Sequence, residues 1–338
     1  MMLTLCMKLH QGCLTPVVKA SLVKSAPLIR PSLHKYLTRT FADDARSAFR
    51  RVSRRQTLKE RAMAPAGETA FNVGKGALAG GAAVGLGALC YYGLGLANES
   101  GAVDRSILWP DYVRQRIMDT YLYFGGSVAL TAVTAASAFR SPALMRFMTR
   151  SSFLSLAATM AAMIGSGIIV QRIPYKEGFG AKQVAWMAHT AILGAVVAPL
   201  CFIGGPLVVR AAWYTAGVVG GLSAVAVCAP SDRFLSIGGP LAVGLGVVFA
   251  SSLGSMFLPP TTALGAGLYS LSVYGGLLLF SGFLLYDTQR IIRAAEVYPL
   301  YAPHPYDPVN ASISIYLDTI NIFIRIAVIL ASGGSRKK

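Results

Sequence analysis

Residues 234–286 read FLSIGGPLAVGLGVVFASSLGSMFLPPTTALGAGLYSLSVYGGLLLFSGFLLY and contain no Asp, Glu, Lys or Arg. A bilayer core about 30 Å thick needs about 20 apolar residues of helix, so this stretch is long enough for two crossings. The double proline at Pro259 and Pro260 cannot continue a helix. The stretch therefore predicts two membrane-spanning helices, Ile237–Phe257 and Ala263–Tyr286.

The rest of the chain has the same character. Of its 338 residues 13% are charged and 54% are hydrophobic, whereas soluble domains carry about 25% charged residues. Six further uncharged or nearly uncharged stretches have spanning length: 76–98, 120–139, 151–171, 183–209, 211–231 and 308–332. We therefore expect an all-α membrane protein, with a seven-helix transmembrane bundle in 117–335 preceded by one extra transmembrane helix at 76–98. Its surroundings are the lipid bilayer, and we expect no enzymatic activity.

Positive charge is concentrated at the N-terminal end. Residues 1–61 hold 13 of the 31 Lys and Arg residues, and residues 1–42 contain no acid. An acid-free, basic and Ser-bearing leader is typical of a mitochondrial transit peptide, and Arg39-Thr40-Phe41-Ala42 resembles a matrix processing site. We therefore predict a transit peptide at 1–42 and a multi-pass protein of the mitochondrial inner membrane. A basic cytosolic tail is the alternative, and we expect no nucleic-acid partner.

Residues 43–75 form a basic polar spacer, which is either a surface helix against anionic lipid or a solvated tether. Eight spans place both termini on one side of the membrane. That side carries 15 Lys and Arg residues near the spans, against 9 on the other side. The positive-inside rule therefore predicts that both termini lie in the matrix.

Several other functions find little support in the sequence. The five cysteines and four histidines do not cluster, so no resident metal or cofactor is expected. Glycines in the first span form two small-xxx-small faces, which predict close helix packing, self-association or contact with inner-membrane protein partners; they are Gly76, Gly80, Gly81 and Gly85. Ser166, between two glycines, and His189 on the next span give only weak support to a function in intramembrane proteolysis, because both are ordinary packing residues in lipid.

Two carboxylates lie within the apolar stretches. Asp287 ends the seventh predicted span in a helix that we expect to continue to about Val297, and Asp318 lies near the middle of the eighth. An ionisable group in a membrane segment costs at least ~2.5–3.5 kcal/mol and marks a functional site by default. On the last helix a polar stripe at i, i+4, i+7 and i+11 should face a partner helix or a wet cavity; its members are Ser314, Asp318, Asn321 and Arg325.

Each aspartate also has a structural interpretation. Asp287 could be a helix-end charge paired with Arg290, and Asp318 could form a salt bridge with Arg325 two turns away. If the aspartates instead meet in low dielectric, they should share a proton. Carboxylate oxygens are also the usual protein ligands of Ca²⁺, so Ca²⁺ and H⁺ would compete for one site.

These motifs resemble those of the Bax inhibitor motif family. The resemblance rests on Tyr286-Asp287-Thr288-Gln289 and on residues 314–323, which read SIYLDTINIF. With the leader, the stretches at 213–217 and 254–260 resemble the mitochondrial branch of that family. The resemblance implies a seven-helix bundle in which two aspartates meet near the cytoplasmic-type side and gate a cation path, together with anti-apoptotic behaviour and cristae maintenance. By motif those aspartates are Asp287 and Asp318.

One feature departs from the family pattern. The span 151–171 holds no basic residue, so Arg172 at its end or Arg325 would have to place a positive charge near the pair. We expect a pH-sensitive Ca²⁺ channel or Ca²⁺/H⁺ exchanger. A K⁺/H⁺ exchanger and an inner-membrane scaffold without transport activity are the alternatives.

Overall fold

The structure, a computed structural model, describes residues 57–97, 101–149, 153–230 and 232–334. The predicted transit peptide and the first part of the spacer lie outside the described residues and stay predictions. Within the described residues eight helices are long and apolar enough to cross a membrane, and no strand is assigned. We name them α1 Thr69–Gly93, α2 Asp111–Phe139, α3 Phe153–Arg172, α4 Ala181–Val197, α5 Gly205–Cys228, α6 Gly238–Phe257, α7 Ala263–Val297 and α8 Pro308–Gly334.

The all-α membrane fold with one helix ahead of seven is thereby confirmed, and so is the helical continuation past Asp287 to Val297. Two boundaries differ from the prediction. The first span was expected at 76–98 after a spacer at 43–75, but α1 runs from Thr69 to Gly93 and takes in the last residues of that spacer. We expected the fourth span to run to Val209, but α4 ends in a 3₁₀ turn at Ala198–Ile203 and α5 begins at Gly205. The chain turns at Gly204, whose φ of +108° favours glycine. Arg210 therefore lies exposed inside α5, not at its start.

The core lies around the last two helices. α8 packs against α2, α5 and α7, and its buried apolar residues include Ile315 and Ile322. A π-helical turn at Leu271–Gly275 interrupts α7. Such turns leave backbone groups out of the regular ladder and often occur at functional sites. α1 lies outside the bundle, against α5 and α7.

The connections define two ends of the bundle. Ala66 N donates to Thr261 O at 2.8 Å, and Ala263 N donates to Ala64 O at 2.8 Å. The chain before α1, the α6–α7 turn and the end of α8 therefore share one end, which we call the terminal side. The connections 101–110, 173–180 and 298–307 lie at the other end, which we call the loop side.

A candidate cation site in the bundle

Two buried aspartates meet where α7 and α8 cross. Asp287 and Asp318 are each only 5% exposed, and their carboxyl groups lie close enough to interact directly. The Ser314 hydroxyl, one helical turn before Asp318, lies near Asp287 and donates to Ala311 O at 3.4 Å. The structure thus brings together three residues singled out in the sequence.

The charge balance of the pair requires a proton. Arg290 Nη1 lies 3.4 Å from Asp287 Oδ1, and the Arg290 side chain is 54% exposed. Among the described residues no ordinary donor reaches Asp318 Oδ2. Two carboxylates in contact away from water cannot both ionise at low cost, so a shared proton is what satisfies that oxygen. The two carboxyl groups can therefore share one proton, and Asp287 lies against both Asp318 and Arg290, the two partners considered for it in the sequence.

The residues after Asp287 in its motif have structural roles. The Thr288 hydroxyl donates to Leu284 O at 2.7 Å and lies near Tyr121 of α2. Gln289 Nε2 donates to Pro230 O at 2.8 Å, and Gln289 Oε1 accepts from Phe234 N at 2.8 Å. Gln289 therefore ties the α5–α6 connection to α7, a role that the sequence did not signal.

The remaining stripe residues form a second group nearer the terminal side. Arg325 is 3% exposed, and its Nη1 donates to Asn321 Oδ1 at 2.9 Å and to Asn321 O at 3.0 Å. Within the described part of the chain Arg325 makes no ion pair, so the salt bridge with Asp318 that we considered does not form. Arg172 is exposed at the end of α3.

The loop side holds a polar layer that sequence reasoning missed. Lys182 of α4 is 2% exposed and forms an ion pair with Asp307, just before α8. Arg116 lies 4.9–5.5 Å from the ring centres of Tyr112, Tyr298 and Tyr306. Burial raises the pKa of Tyr306, so this phenol stays protonated near neutral pH. The layer holds the 298–307 connection against the bundle.

Ser166 and His189 do come together. The Ser166 hydroxyl lies 2.8 Å from His189 Nδ1, and it can also donate to Met163 O at 3.1 Å. Serine acylation chemistry further needs free N–H groups aimed at the oxyanion. Ser166 lies in the interior of α3, where backbone N–H groups are used by the helix. The contact is therefore a packing hydrogen bond between α3 and α4.

Comparison with known proteins agrees with this architecture. The family model described as "Inhibitor of apoptosis-promoting Bax1" matches residues 113–335, which span α2 to α8. The chain is 55% identical over 327 residues to the Growth hormone-inducible transmembrane protein of Rattus norvegicus, covering 96% of this chain and 93% of the relative. It is 29% identical over 217 residues to Bax inhibitor 1 of the same organism, covering 63% and 85%. An uncharacterized protein of Helicobacter pylori strain J99 is 27% identical, covering 72% and 97%. This chain therefore belongs to the Bax inhibitor family of multi-pass membrane proteins.

Proposed function

We propose that the chain is a pH-sensitive cation transporter, a Ca²⁺ channel or Ca²⁺/H⁺ exchanger, of the mitochondrial inner membrane. The observation that carries the proposal is the contact between Asp287 and Asp318 inside a membrane bundle. Buried carboxylates are costly in lipid and are retained where ions or protons move. The acid-free leader supports the mitochondrial location.

Competition between Ca²⁺ and H⁺ follows from the site's composition. Ca²⁺ takes six to eight oxygen ligands, and the pair with Ser314 supplies only part of such a set. Among the described residues no group of three or more His, Cys, Asp or Glu could hold a metal ion. The site therefore suits a cation that keeps part of its water and passes on, and protonation of the pair removes its charge.

The membrane potential bounds the direction of transport. Each charge crossing the membrane is worth ~2.3 kcal/mol per 100 mV, so Ca²⁺ gains ~4.6 kcal/mol per 100 mV on moving into a negative matrix. A simple channel would therefore carry Ca²⁺ inward. Export requires coupling to inward protons, which a proton-sharing pair can supply.

Flux in liposomes under an imposed pH gradient tests the proposal. We expect Asp287→Asn and Asp318→Asn each to lower Ca²⁺ flux by about tenfold or more, because each removes one of the two charges that replace the ion's water. Ser166→Ala, which removes a hydrogen bond elsewhere in the bundle, is the control. Native Ca²⁺ flux in both Asn variants would exclude the aspartate mechanism, and the same assay with K⁺ decides between Ca²⁺/H⁺ and K⁺/H⁺ exchange.

A scaffold function is the second candidate, and the outer surface of α1 favours it. Apart from the adjoining residues and backbone of α1 itself, no atom of the described chain lies within 4 Å of a Cβ built at Gly76 or Gly80, so this face is free for another helix. Such a scaffold would maintain cristae and resistance to apoptosis without transport. Restoration of both properties by the Asp287→Asn, Asp318→Asn double variant, in cells lacking the protein, would establish the scaffold and reject transport as the cause.

A further inference from the structure

Arg325 is held in a site built for its guanidinium. The π-helical turn of α7 leaves Ser272 O 3.3 Å from Arg325 Nε. A Cβ added to Gly276 would overlap the same guanidinium. The ring of Phe280 lies 4.4 Å below Arg325 Cζ. Together with Asn321 of its own helix, these contacts fix the side chain in the bundle interior.

The contacts of Arg325 leave its charge uncompensated. Its partners are backbone carbonyls, an amide and an aromatic ring, all of which are neutral. A buried Arg is normally paired with a carboxylate, since desolvation penalises a lone charge. Neutral acceptors bond Nε and Nη1 of the guanidinium and preserve its positive field.

Arg325 lies between the aspartate pair and the terminal side. It follows Asp318 by seven residues on α8, which is about 10 Å at 1.5 Å per residue. On α7, which runs in the opposite direction, Ser272, Gly276 and Phe280 precede Asp287 in sequence. Both helices therefore place the guanidinium on the terminal-side flank of the pair, whereas Arg290 lies on the loop-side flank.

We propose that Arg325 is a fixed positive-charge barrier that keeps cations at the aspartate pair from continuing to the terminal side. The inference rests on the proposed cation transport, because the barrier acts on that path. Cations reach the pair from the loop side and are repelled by the guanidinium, which forms no ion pair with an acid of the described residues. Passage requires α7 and α8 to separate at the π-helical turn, which would carry Arg325 away from the path.

The test is cation flux of the full-length protein in liposomes, with Ca²⁺ and K⁺ as probes. We expect Arg325→Gln to raise the flux of both ions by about tenfold or more, because an interior charge in lipid is worth at least that factor. Arg325→Lys keeps the charge and should raise flux less. If Arg325→Gln is not monodisperse in detergent, Arg325→Met takes its place.

Two comparisons separate this barrier from the proposed function. Native or reduced flux in the folded Arg325→Gln protein overturns the barrier, even where the wild type carries Ca²⁺. Increased flux that disappears on adding Asp318→Asn supports it and places the path at the pair. The proposed function is judged separately, from the wild type against the single Asn variants. Increased flux that persists with Asp318→Asn rejects the barrier as proposed, because ions then bypass the pair.

Discussion

The ion pair between Lys182 and Asp307 joins α4 to the start of α8. Lys182 Nζ also donates to Ile173 O at 2.9 Å, and Asp307 Oδ1 accepts from Asn310 N at 3.0 Å. The lysine side chain is 2% exposed and that of Asp307 is 23% exposed, so the two partners are not equivalent. Removing the carboxylate leaves a buried cation without its anionic partner, whereas removing the amine leaves a carboxylate that water can reach.

We therefore expect Asp307→Asn to destabilise the protein by about 3–5 kcal/mol, the usual cost of a buried charge left alone. Lys182→Met should cost clearly less. Thermal unfolding in detergent measures both. The Lys182→Met, Asp307→Asn double variant should recover part of the loss, and equal costs for the two single variants would contradict the asymmetry.

The sequence revealed some functional residues and hid others for a physical reason. Asp287 and Asp318 stand out because a lone carboxylate in an apolar helix has no ordinary explanation. Lys182 and Asp307 occur at helix ends, where charges are common, so their burial is visible only in three dimensions. Arg325 was recognised as polar, but its neutral surroundings depend on the π-helical turn, for which the apolar residues 271–275 give no signal.

At the scale of elements, two adjacent glycines of α1 differ in the space that the bundle leaves beside them. A Cβ at Gly81 would overlap Leu278 of α7, while one at Gly80 meets nothing within 4 Å. We expect Gly81→Val to weaken the packing of α1 on the bundle, lowering thermal stability by about 1–3 kcal/mol, as overpacking does. The Gly80→Val protein is the matched control and should stay near wild type.

The same two variants test self-association through the outer face of α1. Cross-linking in membranes should detect fewer oligomers for Gly80→Val if Gly76 and Gly80 form a helix–helix contact. Equal stability loss in both variants would mean that α1 does not pack through Gly81.

Helix boundaries were harder to predict than such faces. Charged residues marked most ends of the spans, but the break between α4 and α5 is set by Gly204, and a single glycine in a glycine-rich chain is a weak signal.

For the whole molecule, the two buried aspartates lie nearer the loop side of the bundle than the terminal side. Asp287 lies ten residues before Val297, at the loop-side end of α7, and Asp318 lies ten residues after Pro308, at the loop-side end of α8. Both carboxylates are thus about 15 Å from the loop side, at 1.5 Å per residue. With both termini in the matrix, as the positive-inside count predicts, the pair would exchange ions with the intermembrane space.

Labelling of single cysteines tests this orientation. Tyr301 on the loop side is 99% exposed, and Lys59 on the terminal side is also exposed. In a background with the native cysteines replaced by alanine, Tyr301→Cys in intact mitoplasts should react with a membrane-impermeant maleimide. Lys59→Cys should react only after detergent is added, because an intact inner membrane shields the terminal side from the reagent. The reverse pattern would place the pair near the matrix, and the Arg325 barrier would then face the intermembrane space.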